Sequence, residues 1–422
     1  MKFSFFHLMP YRWLPADFRE RYHGVWVDLP NHLYDPVRGH QLYNEYLDML
    51  EYADQLGFDA VGVNEHHQNA YGMMPSPNLM AAALARRCPN ASILVLGNSL
   101  ALYNPPVRVA EEFAMLDVIS GGRLIAGFPV GTSMDINYCY GQNPATVRDK
   151  YREAHDLVIK AWTTREPFAW NGKYTKLRYV NLWPRPIQQP HPPIWIPGLG
   201  SIETWDFCAE FGYNYSYLSF SGYKRAQKMM EGYWERLAAR GVDQNPYRGA
   251  FFQQVCISDT DSACEREWWP HCDYFFNKCL HLYPGMAGAP GYMSEASMRA
   301  GIVGQVGNTK MNMGQDKSWK ELCEGRYLVA GSPATVRQQL EELARSLRVG
   351  HLALGFHIGS SPIELTNRST YLFATQVMPH LRPIFAEADD RWSPRPLPPK
   401  ERVLAGSQNE GARRRAERPV TA

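Results

Sequence analysis

The chain has 422 residues, 45% hydrophobic and 20% charged, and its 44 basic and 42 acidic side chains leave a formal charge of +2. A balance this close to neutral excludes a protein built on an electrostatic nucleic-acid footprint. No apolar run approaches the roughly 18 residues of a membrane helix, and the opening Met1-Lys2-Phe3-Ser4-Phe5-Phe6-His7 is too interrupted for a secretory leader.

Residues 2–9 read as a first strand. The stretch that follows, about 10–40, is rich in aromatics and punctuated by Pro and Gly without helical period, and it reads as a lid. An amphipathic helix is expected over 41–56, closed by Gly57. The second strand, 60–63, ends abruptly in Asn64-Glu65-His66-His67, the pattern of a dry parallel strand whose carboxyl end opens into a site. Helices over 77–87, 106–119 and 147–162 alternate with strands over 92–96 and 124–128. Between 165 and 193 Asn171-Gly172 suggests a hairpin and five prolines an extended connection. Strands at 194–196, 213–220, 251–257 and 351–356 and helices at 201–210, 223–239, 333–347 and 362–385 complete the series.

This alternation predicts an α/β fold, a TIM (β/α)8 barrel with insertions after strands one, four and seven. One domain is expected over 1–388, with insertions at about 10–40, 165–193 and 283–330, and a disordered tail over 389–422. The eight cysteines form no Cys-x-x-Cys pair and read as reduced, mostly buried thiols of a cytoplasmic protein.

Three strand ends carry residues capable of chemistry. In Glu65-His66-His67 an imidazole can donate or accept a proton near neutral pH. A metal reading lacks a His-x-His pair, and His7, His191, His271, His281 and His357 show no ligand spacing, so no metal is expected. In Pro197-Gly198-Leu199-Gly200-Ser201-Ile202-Glu203-Thr204 two glycines free the backbone and two hydroxyls flank a helix N-terminus, which suits a phosphate. A dinucleotide fingerprint would need a glycine where Glu203 stands. Phe128-Pro129-Val130-Gly131-Thr132 is a third strand end with a glycine.

With Pro106-Val107-Arg108-Val109-Ala110-Glu111-Glu112, Leu116-Asp117-Val118-Ile119-Ser120-Gly121-Gly122-Arg123, His191-Pro192-Pro193-Ile194-Trp195-Ile196 and Gly331-Ser332-Pro333-Ala334-Thr335-Val336, these stretches resemble the bacterial luciferase-like superfamily of flavin-dependent monooxygenases. The resemblance covers most of 41–382. It implies a barrel that holds reduced FMN at its carboxyl-terminal face and oxygenates a small organic substrate with dioxygen through a flavin C(4a)-peroxide. It places His66 against the flavin ring, with His67 behind it or facing the substrate and Glu65 a further catalytic candidate, and Asn98 and Ser99 along the ring near a non-proline cis peptide. Gly198, Gly200, Ser201 and Thr204 match the phosphate turn, and Val130, Gly131 and Thr132 the opposite wall.

The chain departs from the luciferases at Pro129 and Val130, where they carry a reactive cysteine and an arginine. The alternatives are a hydride-transferring relative using an 8-hydroxy-5-deazaflavin coenzyme, a non-catalytic flavin-binding protein and a metal hydrolase. The absence of a nicotinamide fingerprint favours a separate flavin reductase as partner. The resemblance also implies a homodimer or higher homo-oligomer through the helices after strands two and three.

Overall fold

The computed structural model describes residues 1–132, 134–218, 222–281, 289, 291–297, 299 and 316–403. Eight parallel strands close on themselves: β1 (Lys2–Phe6), β2 (Ala60–Val63), β3 (Ser92–Val95) and β4 (Leu124–Gly127), then β7 (Ile194–Gly198), β8 (Asn214–Tyr217), β9 (Gly249–Ile257) and β11 (His351–Gly355), which returns to β1. The expected barrel is therefore present. An antiparallel hairpin, β5 (Phe168–Asn171) and β6 (Lys176–Val180), stands apart at the predicted Asn171-Gly172 turn.

Side chains alternate across each strand. One face of the strands points into the barrel: Phe6 and Phe252 meet there with ring centroids 5.5 Å apart, and a Cβ on Gly62 would press on the rings and methyls of Phe6 and Leu94. The other face packs on helices, as where Phe5 meets Phe356 at 5.3 Å and Phe356 meets Phe373 at 5.2 Å. The helices that flank the site are α1 (Pro36–Gln55), α2 (Pro77–Arg87), α3 (Val107–Ser120), α4 (Val147–Thr163), α5 (Ile202–Phe211) and α6 (Tyr223–Ala239). Among the described residues no helix is long and apolar enough to cross a membrane.

Several boundaries differ from the sequence reading. Helix α1 starts at Pro36, not at 41, because Asp35 accepts hydrogen bonds from Val37 N (2.8 Å) and Arg38 N (3.2 Å) and proline suits the first turn. A further helix, α7 (Asp261–Asp273), is opened by the Thr260 hydroxyl, which accepts from Ala263 N at 3.1 Å. An additional strand, β10 (Leu328–Gly331), pairs in parallel with the second half of β9 while β11 takes the first half. The last predicted helix is interrupted: after Ile363–Leu372 the turn widens over Phe373–Val377 before Pro379 falls in the first turn of Met378–Leu381. Much of the predicted insertion at 283–330, and the tail beyond 403, lie outside the described residues.

The tail boundary also moves. Residues 389–403 run across the amino-terminal end of the barrel. Trp392 is buried there, donating from Nε1 to the Gly212 carbonyl (2.8 Å) while its own carbonyl accepts from Trp195 Nε1 (2.9 Å). Arg248 lies over its ring at 4.9 Å, and Leu397 N binds the Gly121 carbonyl at 2.9 Å. Trp392→Ala should therefore lower the unfolding free energy by about 3 kcal/mol, the scale of a deleted core aromatic. Urea denaturation checks this, and a change below about 1 kcal/mol would show that the strap adds nothing to the barrel.

Candidate active site

The carboxyl-terminal mouth is organised by Glu65. The chain leaves β2 through Asn64 and buries the Glu65 carboxylate beneath the loop that follows β3. Its Oε2 accepts the Ser99 amide at 2.7 Å and its Oε1 the Tyr103 hydroxyl at 2.6 Å. Burial and the neighbouring Glu65 charge push the Tyr103 phenol far up, so it stays a donor. Glu65 is thus consumed in fixing the backbone at Ser99.

The two histidines diverge. His66 Nδ1 lies 2.7 Å from Asp135 Oδ2, which also accepts from the Thr132 hydroxyl at 2.9 Å. A carboxylate only accepts, so the contact orients the ring with Nδ1 as its donor and leaves Nε2 as the nitrogen facing away from Asp135. The ring sits among aromatics: Trp26 is stacked at 5.8 Å and Tyr71 meets it edge-on at 5.2 Å. Trp26 arrives from the first insertion, pinned where Val27 N donates to Gln68 O (2.9 Å) and Ala70 N to Val25 O (3.0 Å). His67 is buried, with Nδ1 3.0 Å from the Tyr140 hydroxyl and Nε2 3.3 Å from Glu65 Oε1.

The wall after β3 is tight. The Leu96–Gly97 peptide is cis, and a Cβ on Gly97 would collide with the Gly127 carbonyl, so these two glycines let β3 and β4 approach. The cis bond thus lies just before Asn98-Ser99. Asn98 turns its side chain away to Asn78, whose Nδ2 donates to Asn98 Oδ1 at 2.8 Å and to Glu112 Oε2 at 2.6 Å. Gly131 has φ +99, and any Cβ there would strike Ile136 and crowd the Ser99 hydroxyl. Val130 is partly buried against the core.

The second cluster lies after β7. Gly200 has φ +100, and Ser201 Oγ and Thr204 Oγ1 are 2.7 Å apart. Ser201 occupies the N-cap of α5, yet its side chain makes no capping hydrogen bond to the helix. A Cβ on Gly198 would touch the ring of Tyr215 and the Thr204 methyl. The first and second clusters are bridged from the third insertion: the Tyr292 hydroxyl donates to the Gly131 carbonyl, and the Ser294 and Ser297 hydroxyls donate to Glu203. Burial works against the Glu203 carboxylate, but these hydroxyls, its own amide and the Arg148 charge leave its pKa below the usual range.

Sequence reasoning singled out Glu65, His66, His67, Ser99, Gly131 and Thr132, which the fold brings together, and Gly198, Gly200, Ser201 and Thr204, which it places one strand further round. It missed Asp135, Trp26, Tyr140 and Tyr292. Asp135 sits in a widened helical turn, Met134–Tyr138, where no period marks an inward face. Its one signal was a carboxylate close after a glycine-bearing strand end.

A closed parallel barrel with a histidine–carboxylate pair at its carboxyl-terminal mouth is the architecture of a barrel enzyme. Residues 25–349 match the model of the luciferase-like monooxygenases, and the chain belongs to that family. It is 31% identical over 158 residues to the oxygenase component of the flavin-dependent trigonelline monooxygenase of Acinetobacter baylyi, covering 37% of this chain and 43% of that protein. The chain thus aligns with less than half the length of that relative. Solved structures share the fold: monooxygenase RslO1 of Streptomyces bottropensis has TM-score 0.66 and 21% identity, over 90% of this chain and 99% of that one. The oxygenating constituent of 3,6-diketocamphane monooxygenase of Pseudomonas putida, solved with FMN, has TM-score 0.65 and 20% identity, over 90% and 98%.

The Glu203 bridge carries a pH prediction. A carboxyl held below its ordinary pKa of 4.5 contributes stability that is complete above that value and is lost as pH falls through the folded value. Glu203→Gln should raise amide exchange across 291–297 several-fold at neutral pH. The wild-type segment should loosen in the same way only at acid pH. Equal protection in both proteins at neutral pH would remove the bridge from the account.

Proposed function

We propose that the chain is a flavin-dependent monooxygenase that uses reduced FMN and dioxygen to oxygenate a small organic substrate. The observation that carries this is the His66–Asp135 pair: an imidazole oriented by a carboxylate, set at the barrel mouth inside an aromatic shell. Its family membership supplies the cofactor class.

The residues present fit that group. The uncapped start of α5, the paired hydroxyls of Ser201 and Thr204, and Gly200 form a phosphate cradle. Arg148, whose charge acts on Glu203 and whose guanidinium lies over the Tyr292 ring, is a cation near that helix start. Bound reduced FMN supplies the electrons that activate dioxygen. The chain contributes the rest. Trp26 and Tyr71 exclude water, Glu65 holds the Ser99 wall, and His66 Nε2 holds or accepts a proton beside the ring while Asp135 fixes its orientation.

Reduced flavin is read as coming from a separate reductase. A cytoplasmic location is supported by eight unpaired cysteines, six of them buried. A homodimer is supported by the apolar side chains left exposed on α2 and α3, Leu79, Met115, Val118 and Ile119.

Anaerobic titration with reduced FMN, followed by admission of air, tests the reading. Tight binding and oxygen consumption are expected. Binding of the deazaflavin coenzyme with no oxygen uptake would establish the hydride-transfer alternative instead. His66→Ala should keep the fold and reduce turnover roughly 100-fold. Asp135→Asn should reduce it about tenfold and displace the pH–rate profile, because an amide can donate to Nδ1 and permit the other tautomer. An unshifted profile would deny Asp135 its positioning role.

A further inference from the structure

Barrel interiors are filled by side chains in layers, and the layer nearest the mouth meets the ligand. Here that layer contains Phe6 of β1, the glycines Gly62 of β2 and Gly355 of β11, and Gln254 of β9. The register aligns Phe6 with Gly62, and Gly355 with Gln254. Gln254 projects inward: it shares the face of Phe252, which touches Phe6, and a Cβ on Gly355 would stand only 2.5 Å from Gln254 Oε1. Its neighbour Gln253 points the other way and donates to the Tyr327 carbonyl at 3.0 Å.

Gln254 is 2% exposed, yet neither its Oε1 nor its Nε2 has a hydrogen-bond partner among the described residues. A buried carboxamide with both ends unmade is costly, and native proteins satisfy such groups. Gly355 is what makes room for it, since any larger residue there would expel the amide. The position is therefore built around a group that the barrel itself does not satisfy.

An amide with one free donor and one free acceptor is complementary to a group that offers an acceptor beside a donor. The flavin's pyrimidine edge is such a group, with an N3–H flanked by two carbonyls, and a deazaflavin carries the same edge. We propose that Gln254 binds this imide edge of the flavin, Oε1 accepting the N3–H and Nε2 donating to an adjacent carbonyl. The inference rests on the flavin reading above and adds the residue that recognises the ring. In that role Gln254 is a cofactor-binding residue, and it distinguishes flavin from flat apolar ligands of similar size.

The test compares FMN with N3-methyl-FMN, which lacks the donor, on the full-length wild type and on Gln254→Leu. Binding is read by flavin fluorescence and needs no turnover. Wild type should bind FMN at least tenfold more tightly than N3-methyl-FMN. Gln254→Leu should weaken FMN about tenfold and bind the methylated flavin no worse than FMN, so that the two losses are not multiplicative. The ligand-free variant should melt no lower than wild type, because removing an unsatisfied buried amide relieves a cost.

A Gln254→Leu protein that keeps wild-type affinity for FMN overturns the inference alone, as does a loss of FMN affinity that persists in full with N3-methyl-FMN. A variant that melts lower shows that the amide serves packing, and also overturns it. If Gln254→Leu does not fold, equal wild-type affinity for the two flavins still refutes the proposal. A wild type that binds no flavin in either redox state overturns the flavin reading itself.

Discussion

A buried carboxylate has to be met by donors or it will not stay buried and ionised. At the barrel mouth that requirement falls on Glu65, and it is met by the Ser99 amide and the Tyr103 hydroxyl. Both donors belong to the segment that leaves β3. The acid on one strand end therefore dictates the path of the next, and the two walls of the site cannot move independently. His66 and His67 follow Glu65 immediately, so their directions are inherited from the same anchor. One imidazole is delivered to Asp135 and the other to Tyr140.

The insertions act on this frame. The first brings Trp26 onto His66, held by backbone hydrogen bonds to the loop after β2. The third brings Tyr292 onto the Gly131 carbonyl and two serines onto Glu203. The dry strand ends thus acquire a cover from the described parts of both insertions. Chemistry that requires water to be excluded is compatible with this arrangement, because each cover is pinned to a residue of the site and not merely near it.

The barrel was legible because its strands are short apolar runs ended by glycine or by sudden polarity, as at Gly127 and at Val63-Asn64-Glu65. The helix that opens at Ser332-Pro333 was legible from its cap, and Ser332 Oγ does accept the Thr335 amide. What escaped had no period to read. Leu328–Gly331 is four residues long and abuts that cap, so it looked like the close of a loop. Asp135 lies in a wide turn, and Trp392 in a proline-rich stretch whose composition suggested disorder. Each is set by a tertiary contact: Asp135 by His66, Trp392 by Trp195 and Gly212. Local pattern does not encode such contacts.

The two ends of the barrel differ in what closes them. At the amino-terminal end the interior side chains His351 and Trp195 pack at 4.6 Å, and Trp392 closes over them with its indole N–H and its carbonyl bonded, while His351 Nε2 has no hydrogen-bond partner among the described residues. Asp390 lies 3.6 Å from His351 there: burial works against its carboxylate, but contact with His351 and Ser393 holds its pKa well below the ordinary range. At the carboxyl-terminal end Asn64 Oδ1, Asp135 Oδ1 and the Gln254 amide remain buried without partners among the described residues. Unmade hydrogen bonds at the mouth of a closed barrel are a standing cost in the ligand-free protein. A ligand that makes them recovers that cost as binding energy. The unpaired groups at the mouth therefore leave that end able to gain binding energy from a ligand that meets them.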